Sequence, residues 1–160
     1  MDPDLDPDLD LEFTRVIAAP PSAVWRAWTE PDLLRQWFLP APFALRVDRL
    51  DVYPGGGLVT SMSEDGASFQ PHIDAAILAV EPGSRLVWTN AIDSEWRPQQ
   101  PQPVPLTTDI RLLEHPDGTD YRAIVRHGRR EDRDRHVDLG FFPGWEMVTD
   151  QLAALLAATA

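Results

Sequence analysis

The sequence predicts an α+β fold in which a curved antiparallel sheet of about seven strands wraps around a long C-terminal helix, with two short helices after the first strand. Three observations carry this. Seven short stretches have strand character, and Gly, Pro, Asp and Ser clusters separate them. Helical patterning is confined to a stretch after the first strand and to the chain's last quarter. The last helix sets Trp145, Val148, Leu152 and Leu155 on one stripe, which an antiparallel sheet can bury only by wrapping it.

The first strand is expected over residues 11–18, where Leu11, Phe13, Arg15 and Ile17 alternate with Glu12, Thr14, Val16 and Ala18. Pro20-Pro21 ends it, Ser22 is expected to cap a helix carrying Val24, Trp25 and Trp28, and Pro31 breaks that helix. A second short helix is expected over residues 32–37. Trp25, Trp28 and Trp37 are read as core beneath these helices. Strands follow at 43–52 and 58–63 across Pro54-Gly55-Gly56-Gly57, whose glycines permit the positive φ of a hairpin turn. A phosphate cradle is the competing reading of these glycines, but no lysine follows them and the next segment is a strand.

Further strands are expected at 73–80 and 85–90, then at 107–114 and 121–127. Between the two pairs, residues 92–105 hold four prolines and three glutamines, a long irregular loop of the kind that forms lids. Its lone large apolar side chain, Trp96, is expected to fold inward near Phe141 or Trp145 and gate a cavity. A charged helical segment over 131–138, a break at Gly140 and a helix over 142–158 complete the chain, with Pro143 suited to that helix's first turn. Residues 1–9 carry the tandem Asp2-Pro3-Asp4-Leu5, Asp6-Pro7-Asp8-Leu9 and are expected to form a flexible acidic arm, leaving 10–160 as one domain.

Composition excludes several functions. The 160-residue chain has no cysteine, so it has no disulfides, thiolate metal sites or thiol nucleophiles, in keeping with a cytoplasmic location. All 14 basic residues are arginine, which removes Schiff-base and phosphate-loop lysines. A formal charge of −12 argues against nucleic acid and anionic membrane surfaces as partners. No apolar run reaches the roughly 20 residues of a spanning helix, and the acidic start is unlike a signal peptide.

An ordered set of motifs resembles a known family. They include Ala19-Pro20, Val24-Trp25-x-x-Trp28, Trp37-x-x-Pro40, Pro54-Gly55-Gly56, Met62-x-x-Asp65-Gly66 and Pro82-x-x-Arg85-Leu86-Val87-Trp88-Thr89. Gly118-Thr119-x-Tyr121, Glu131-Asp132-Arg133-x-x-His136, Gly140-Phe141-x-x-Gly144-Trp145 and Asp150-Gln151-Leu152 follow in order. The chain resembles the polyketide-cyclase-like SRPBCC (START-like) superfamily, in the bacterial branch named after the activator of the heat-shock-protein ATPase. The resemblance implies a helix-grip fold with a cavity between sheet and C-terminal helix. It implies neither chaperone regulation nor a defined reaction. The segment Phe69-Gln70-Pro71-His72-Ile73-Asp74 departs from the pattern, which expects a glycine leading into the strand.

Strand alternation and the helical stripe single out Trp88, Ile110, Tyr121, Ala123, Val125, Phe141, Trp145, Val148 and Leu152 as cavity lining. Trp96 joins them as the gate. His127 closes a strand and His136 sits on the charged helix, both flanking the entry of the last helix, and a histidine there could move a proton near neutral pH. Ordinary hydrogen bonding to loop backbone or carboxylates is the competing account of both. No histidine pair has zinc spacing and no cofactor is implied. Three functions remain open: binding of a small apolar or aromatic molecule, a cyclase- or dehydratase-type enzyme with a cavity His or carboxylate as general base, and a protein-interaction or homodimerisation domain.

Overall fold

The computed structural model describes residues 2–159. Strands β1 (Asp10–Ile17), β2 (Ala44–Leu50), β3 (Gly57–Ser63), β4 (Gln70–Glu81), β5 (Arg85–Thr89), β6 (Thr107–His115) and β7 (Gly118–Arg126) form one antiparallel sheet in the order β1-β7-β6-β5-β4-β3-β2. From β2 to β7 the chain is a meander, and β1 closes onto its last strand. The first two strands are therefore opposite edges, and helices α1 (Pro21–Thr29) and α2 (Pro31–Leu34) carry the chain between them. Helices α3 (Arg130–Asp138) and α4 (Phe141–Ala158) end the chain, as the expected α+β helix-grip order requires. Among the described residues no helix is long and apolar enough to cross a membrane.

Register decides which side chains meet α4. Residues opposite one another on antiparallel strands share a face. Leu11 faces Val125, Phe13 faces Ala123, Leu112 faces Tyr121 and Ile110 faces both Ala123 and Leu86. These side chains form the concave face, against which Val148, Leu152 and Leu156 of α4 are buried. Trp28 and Trp37 are buried as the sequence predicts, and both indole N–H groups are satisfied. Trp28 donates to Tyr121 Oη at 3.2 Å, Trp37 donates to the Ala27 carbonyl at 3.0 Å, and the two rings meet edge-on at 5.0 Å. Trp25 is partly buried against the same core.

The convex face has its own polar centre. Asp109 of β6 is fully buried and accepts hydrogen bonds from Arg85 of β5, Arg111 of β6 and Arg126 of β7, at 2.9, 3.1 and 3.0 Å respectively. Burial works to raise its pKa, but the three guanidinium groups outweigh that and bring it down to about 2. One carboxylate thus ties three neighbouring strands together.

Three local expectations are corrected. Helix α1 begins at Pro21, one residue before the expected Ser22 cap, and makes no side-chain cap bond. Proline's fixed φ suits the first helical position without one. Helix α2 is only four residues long, and Trp37 lies beyond it. Strand β4 starts at Gln70, and its register shifts between Thr60/Ile73 and Ser61/Pro71, leaving His72 as the extra residue of a bulge. Residues 2–9, expected to be a flexible acidic arm, form turns in which acidic side chains accept backbone N–H groups. Leu5 N–H bonds Asp2 O, Asp8 N–H bonds Asp6 Oδ1, Asp6 N–H bonds Asp10 Oδ2, and Leu5 is buried. Met1 lies outside the described residues.

Leu152 sits wholly buried where α4 crosses the sheet. Leu152→Ala should lower the unfolding free energy in urea by about 2–5 kcal/mol, the range for a cavity in a core that relaxes only in part. A loss under about 1 kcal/mol would mean that this crossing does not hold the domain together.

Candidate functional site

The first half of α4 packs on the β1 edge of the sheet, with Phe141 against Leu11 and Val125 and Trp145 stacked beside Phe13, and leaves space next to Trp88 and Thr108. Gly140, at φ +97°, turns the chain from α3 into α4, and Gly144 follows on the same face one turn later. A Cβ added at Gly144 would meet no atom within 4 Å. The space so left is an apolar cavity of about 330 Å³. Phe141, Trp145 and Val148 line it from the helix, and Trp88, Thr108 and Val125 from the sheet. Phe38, Leu39 and Pro40 line it from the segment after α2, and His136 and Leu139 from α3 and its end. His72, Ile73, Trp88, Pro103, Leu106 and His136 also line a second, more polar pocket of about 630 Å³, to which Gln99, Pro101, Gln102 and Val104 contribute.

Two side-chain amides hold the walls. The Gln151 amide N–H₂ donates to the carbonyls of Trp37 and Leu39, both at 2.9 Å, while its Oε1 accepts from Ala41 N–H at 2.8 Å. This pins the segment carrying Phe38 and Leu39 onto α4. Asn90 does the same on the other side, donating to Val104 O at 3.1 Å and accepting from Leu106 N–H at 2.8 Å. Aromatic edges meet in the walls, with Phe38 and Trp88 at 6.5 Å, Phe38 and His72 at 6.4 Å, and His136 and Phe141 at 5.0 Å. The Trp88 indole N–H is buried without a hydrogen-bond partner.

Of the residues singled out from sequence, the structure brings Trp88, Val125, Phe141, Trp145 and Val148 to the cavity. Ile110, Tyr121, Ala123 and Leu152 are corrected. All four are fully buried in the solid core, on the part of the concave face that α1 and the second half of α4 cover. Period-two alternation identifies the inward face of a strand but not how far along it the filling stops.

Trp96 is corrected more sharply. It is 68% exposed and packs on the β2–β3 turn instead of the cavity entrance. Its Nε1 donates to Gly55 O at 2.7 Å, and a Cβ on Gly55 would lie 3.2 Å from the ring. Asp93 turns the loop tip by accepting the N–H groups of Glu95 and Arg97 on one carboxylate oxygen, and Trp96 there takes φ +66°. The loop does reach the site, with Pro103 in the cavity wall and Pro101, Gln102 and Val104 lining the second pocket.

His127 is buried behind the cavity wall, and His136 stands in the wall itself. His127 Nδ1 lies 2.9 Å from Leu9 O, and its Nε2 lies 2.9 Å from His136 Nδ1. Burial, then the neighbouring His127, lowers the His136 pKa from an ordinary 6.5 to about 4. Burial also lowers that of His127, against the opposing effects of the Leu9 carbonyl, Asp132 and Asp10. His72, lowered by burial, lies 3.0 Å from Thr60 Oγ1 through its Nδ1. The bulge in β4 that aims His72 at the cavity left no pattern in the sequence beyond the missing glycine. Phe38, Leu39, Pro103 and Leu106 were missed because they lie on irregular segments, where no periodicity reports direction.

Over residues 18–157 the sequence matches the family described as activator of Hsp90 ATPase homolog 1-like protein. The chain belongs to this family. No curated protein matches it. Among solved structures, a protein from Nitrosomonas europaea is 35% identical, with 98% of this chain and 99% of that one covered and a TM-score of 0.86. A protein from Chromobacterium violaceum is 27% identical over 92% and 97% of the two chains, with a TM-score of 0.71. One from Rhodobacter sphaeroides shares the fold at 21% identity and a TM-score of 0.81, over 98% and 97%. These three structures thus keep the fold while most side chains differ.

The depressed His136 pKa has a consequence for stability. The folded chain refuses a proton that an unfolded histidine accepts near 6.5, so this group removes stability as pH falls from about 6.5 toward 4 and has no effect above that window. His136→Gln should therefore lose less of its urea midpoint between pH 7 and pH 5 than the wild type does. Parallel pH profiles would show that His136 titrates normally.

Proposed function

We propose that this domain binds a small hydrophobic or aromatic molecule in the cavity between the sheet and the first half of α4. The observation that carries the reading is the cavity itself, because a chain with a well-filled core elsewhere leaves about 330 Å³ open behind aromatic walls. Close packing is the rule in protein interiors, and apolar pockets of a few hundred Å³ with a few polar groups are the usual form of small-molecule sites. The paired amides of Gln151 and Asn90 hold the walls apart without contributing charge. Membership of a family built on this scaffold supports the same reading. The absence of cysteine fits action in the reducing cytoplasm.

Gly144 supplies the test, because a side chain there enters open space and removes no contact. Wild-type protein should raise the fluorescence of the neutral dye N-phenyl-1-naphthylamine saturably, with one site per chain. Gly144→Phe should keep its circular dichroism and melting cooperativity while weakening dye binding by about tenfold or more, that is about 1.4 kcal/mol. Equal binding by the two proteins would place the dye elsewhere. Absence of saturable binding to the wild type would dismiss this reading.

A further inference from the structure

We propose that the ligand is a neutral, hydroxyl-bearing aromatic molecule, a phenol or naphthol, whose O–H donates to Nε2 of His136. This rests on the cavity-binding reading above and names the chemistry of what the cavity takes.

The argument follows the protons from the backbone outward. A carbonyl oxygen only accepts, so the 2.9 Å contact between Leu9 O and His127 Nδ1 puts the proton on that nitrogen. The same carbonyl also accepts the backbone N–H of His127 at 3.0 Å, which holds residue and ring in place. A neutral imidazole carries one N–H, which leaves His127 Nε2 with a lone pair. That lone pair lies 2.9 Å from His136 Nδ1, so His136 donates there. His136 Nε2 then has a lone pair of its own, and among the described residues it makes no hydrogen bond to the protein.

Both rings are neutral near pH 7, since burial lowers both pKa values, that of His136 to about 4. The charged groups near the pair do not reverse this. Asp132 is engaged by Arg129 at 3.1 Å, and Arg133 acts on His127 in the lowering direction. The ring of His136 is also fixed, with Phe141 edge-on at 5.0 Å, so its free edge cannot turn away without losing the bond to His127.

The wall of the cavity therefore carries an acceptor held in one tautomer by a chain that begins at a main-chain carbonyl. A hydrocarbon would cover that acceptor without satisfying it, and an ionised ligand would lose its hydration to apolar walls. A neutral aromatic alcohol meets both demands.

The test measures displacement of N-phenyl-1-naphthylamine at pH 7.5 by 2-naphthol, 2-methoxynaphthalene and naphthalene. The three share a ring system, and only the first has a donor. Wild-type protein should bind 2-naphthol about tenfold more tightly than 2-methoxynaphthalene, the effect of one hydrogen bond in an apolar site. His136→Phe, checked for folding by circular dichroism and melting cooperativity, should bind 2-naphthol and 2-methoxynaphthalene within about threefold of one another. Equal affinities of wild type for 2-naphthol and its methyl ether would overturn the proposal and leave cavity binding standing. Persistence of the preference in His136→Phe would overturn it as well, by moving the acceptor elsewhere. If none of the four compounds binds, both readings go together.

Discussion

The organisation of this molecule depends on one packing constraint, which is that a single helix must cover the concave face of a strongly curved sheet. A helix is close to a straight rod, and its side chains have limited reach. Leu152 and Leu156, in the second half of α4, are buried on the sheet and help fill the space there. Gly140 and Gly144 supply no side chain to fill it over the first turn. The cavity is thus the part of the helix–sheet interface where the interlocking stops. It belongs to the same hydrophobic core and differs only in side-chain volume.

An apolar void tends to collapse unless its walls are fixed by something other than the missing contacts. Here directional bonds do that. Gln151 and Asn90 each use both ends of an amide to hold an irregular segment at a set distance from helix or strand. On the opposite face Asp109 draws arginines of β5, β6 and β7 to one carboxylate, which resists sliding of the strands behind Trp88, Thr108 and Val125. The histidine chain from Leu9 joins the start of β1, the end of β7 and helix α3 at the cavity rim. The acidic N-terminal turns that precede Leu9 therefore bear indirectly on the site.

Family membership and the shared fold leave the ligand to be argued from the side chains. At 35% identity the Nitrosomonas structure keeps the same backbone arrangement across nearly the whole chain, and at 21% the Rhodobacter structure does too. A scaffold that tolerates so much substitution constrains the position of a cavity far more than its chemistry. His136, His72 and the unpartnered indole of Trp88 are among the polar groups that this chain places in its walls.

How much was legible beforehand differs by residue type. Trp28, Trp37 and the stripe of Val148 and Leu152 were readable, because helical spacing and bulk point to burial whatever the surroundings. Ile110, Tyr121 and Ala123 were readable as inward-facing, yet not as core instead of cavity, since that depends on which half of α4 lies above them. Trp96 was misread because a loop's resting place depends on what it can bond to, and Gly55 offered a carbonyl and room for a ring. By itself, then, the sequence determined the elements, their order, the inward faces of the strands and the wrapping of the sheet around the last helix, since all of these follow from local periodicity. Only the tertiary structure decided where filling ends, that His72 turns inward on a bulge, and that His127 and His136 meet. Those are relations between segments far apart in the chain or lacking a repeat, and no local pattern encodes them.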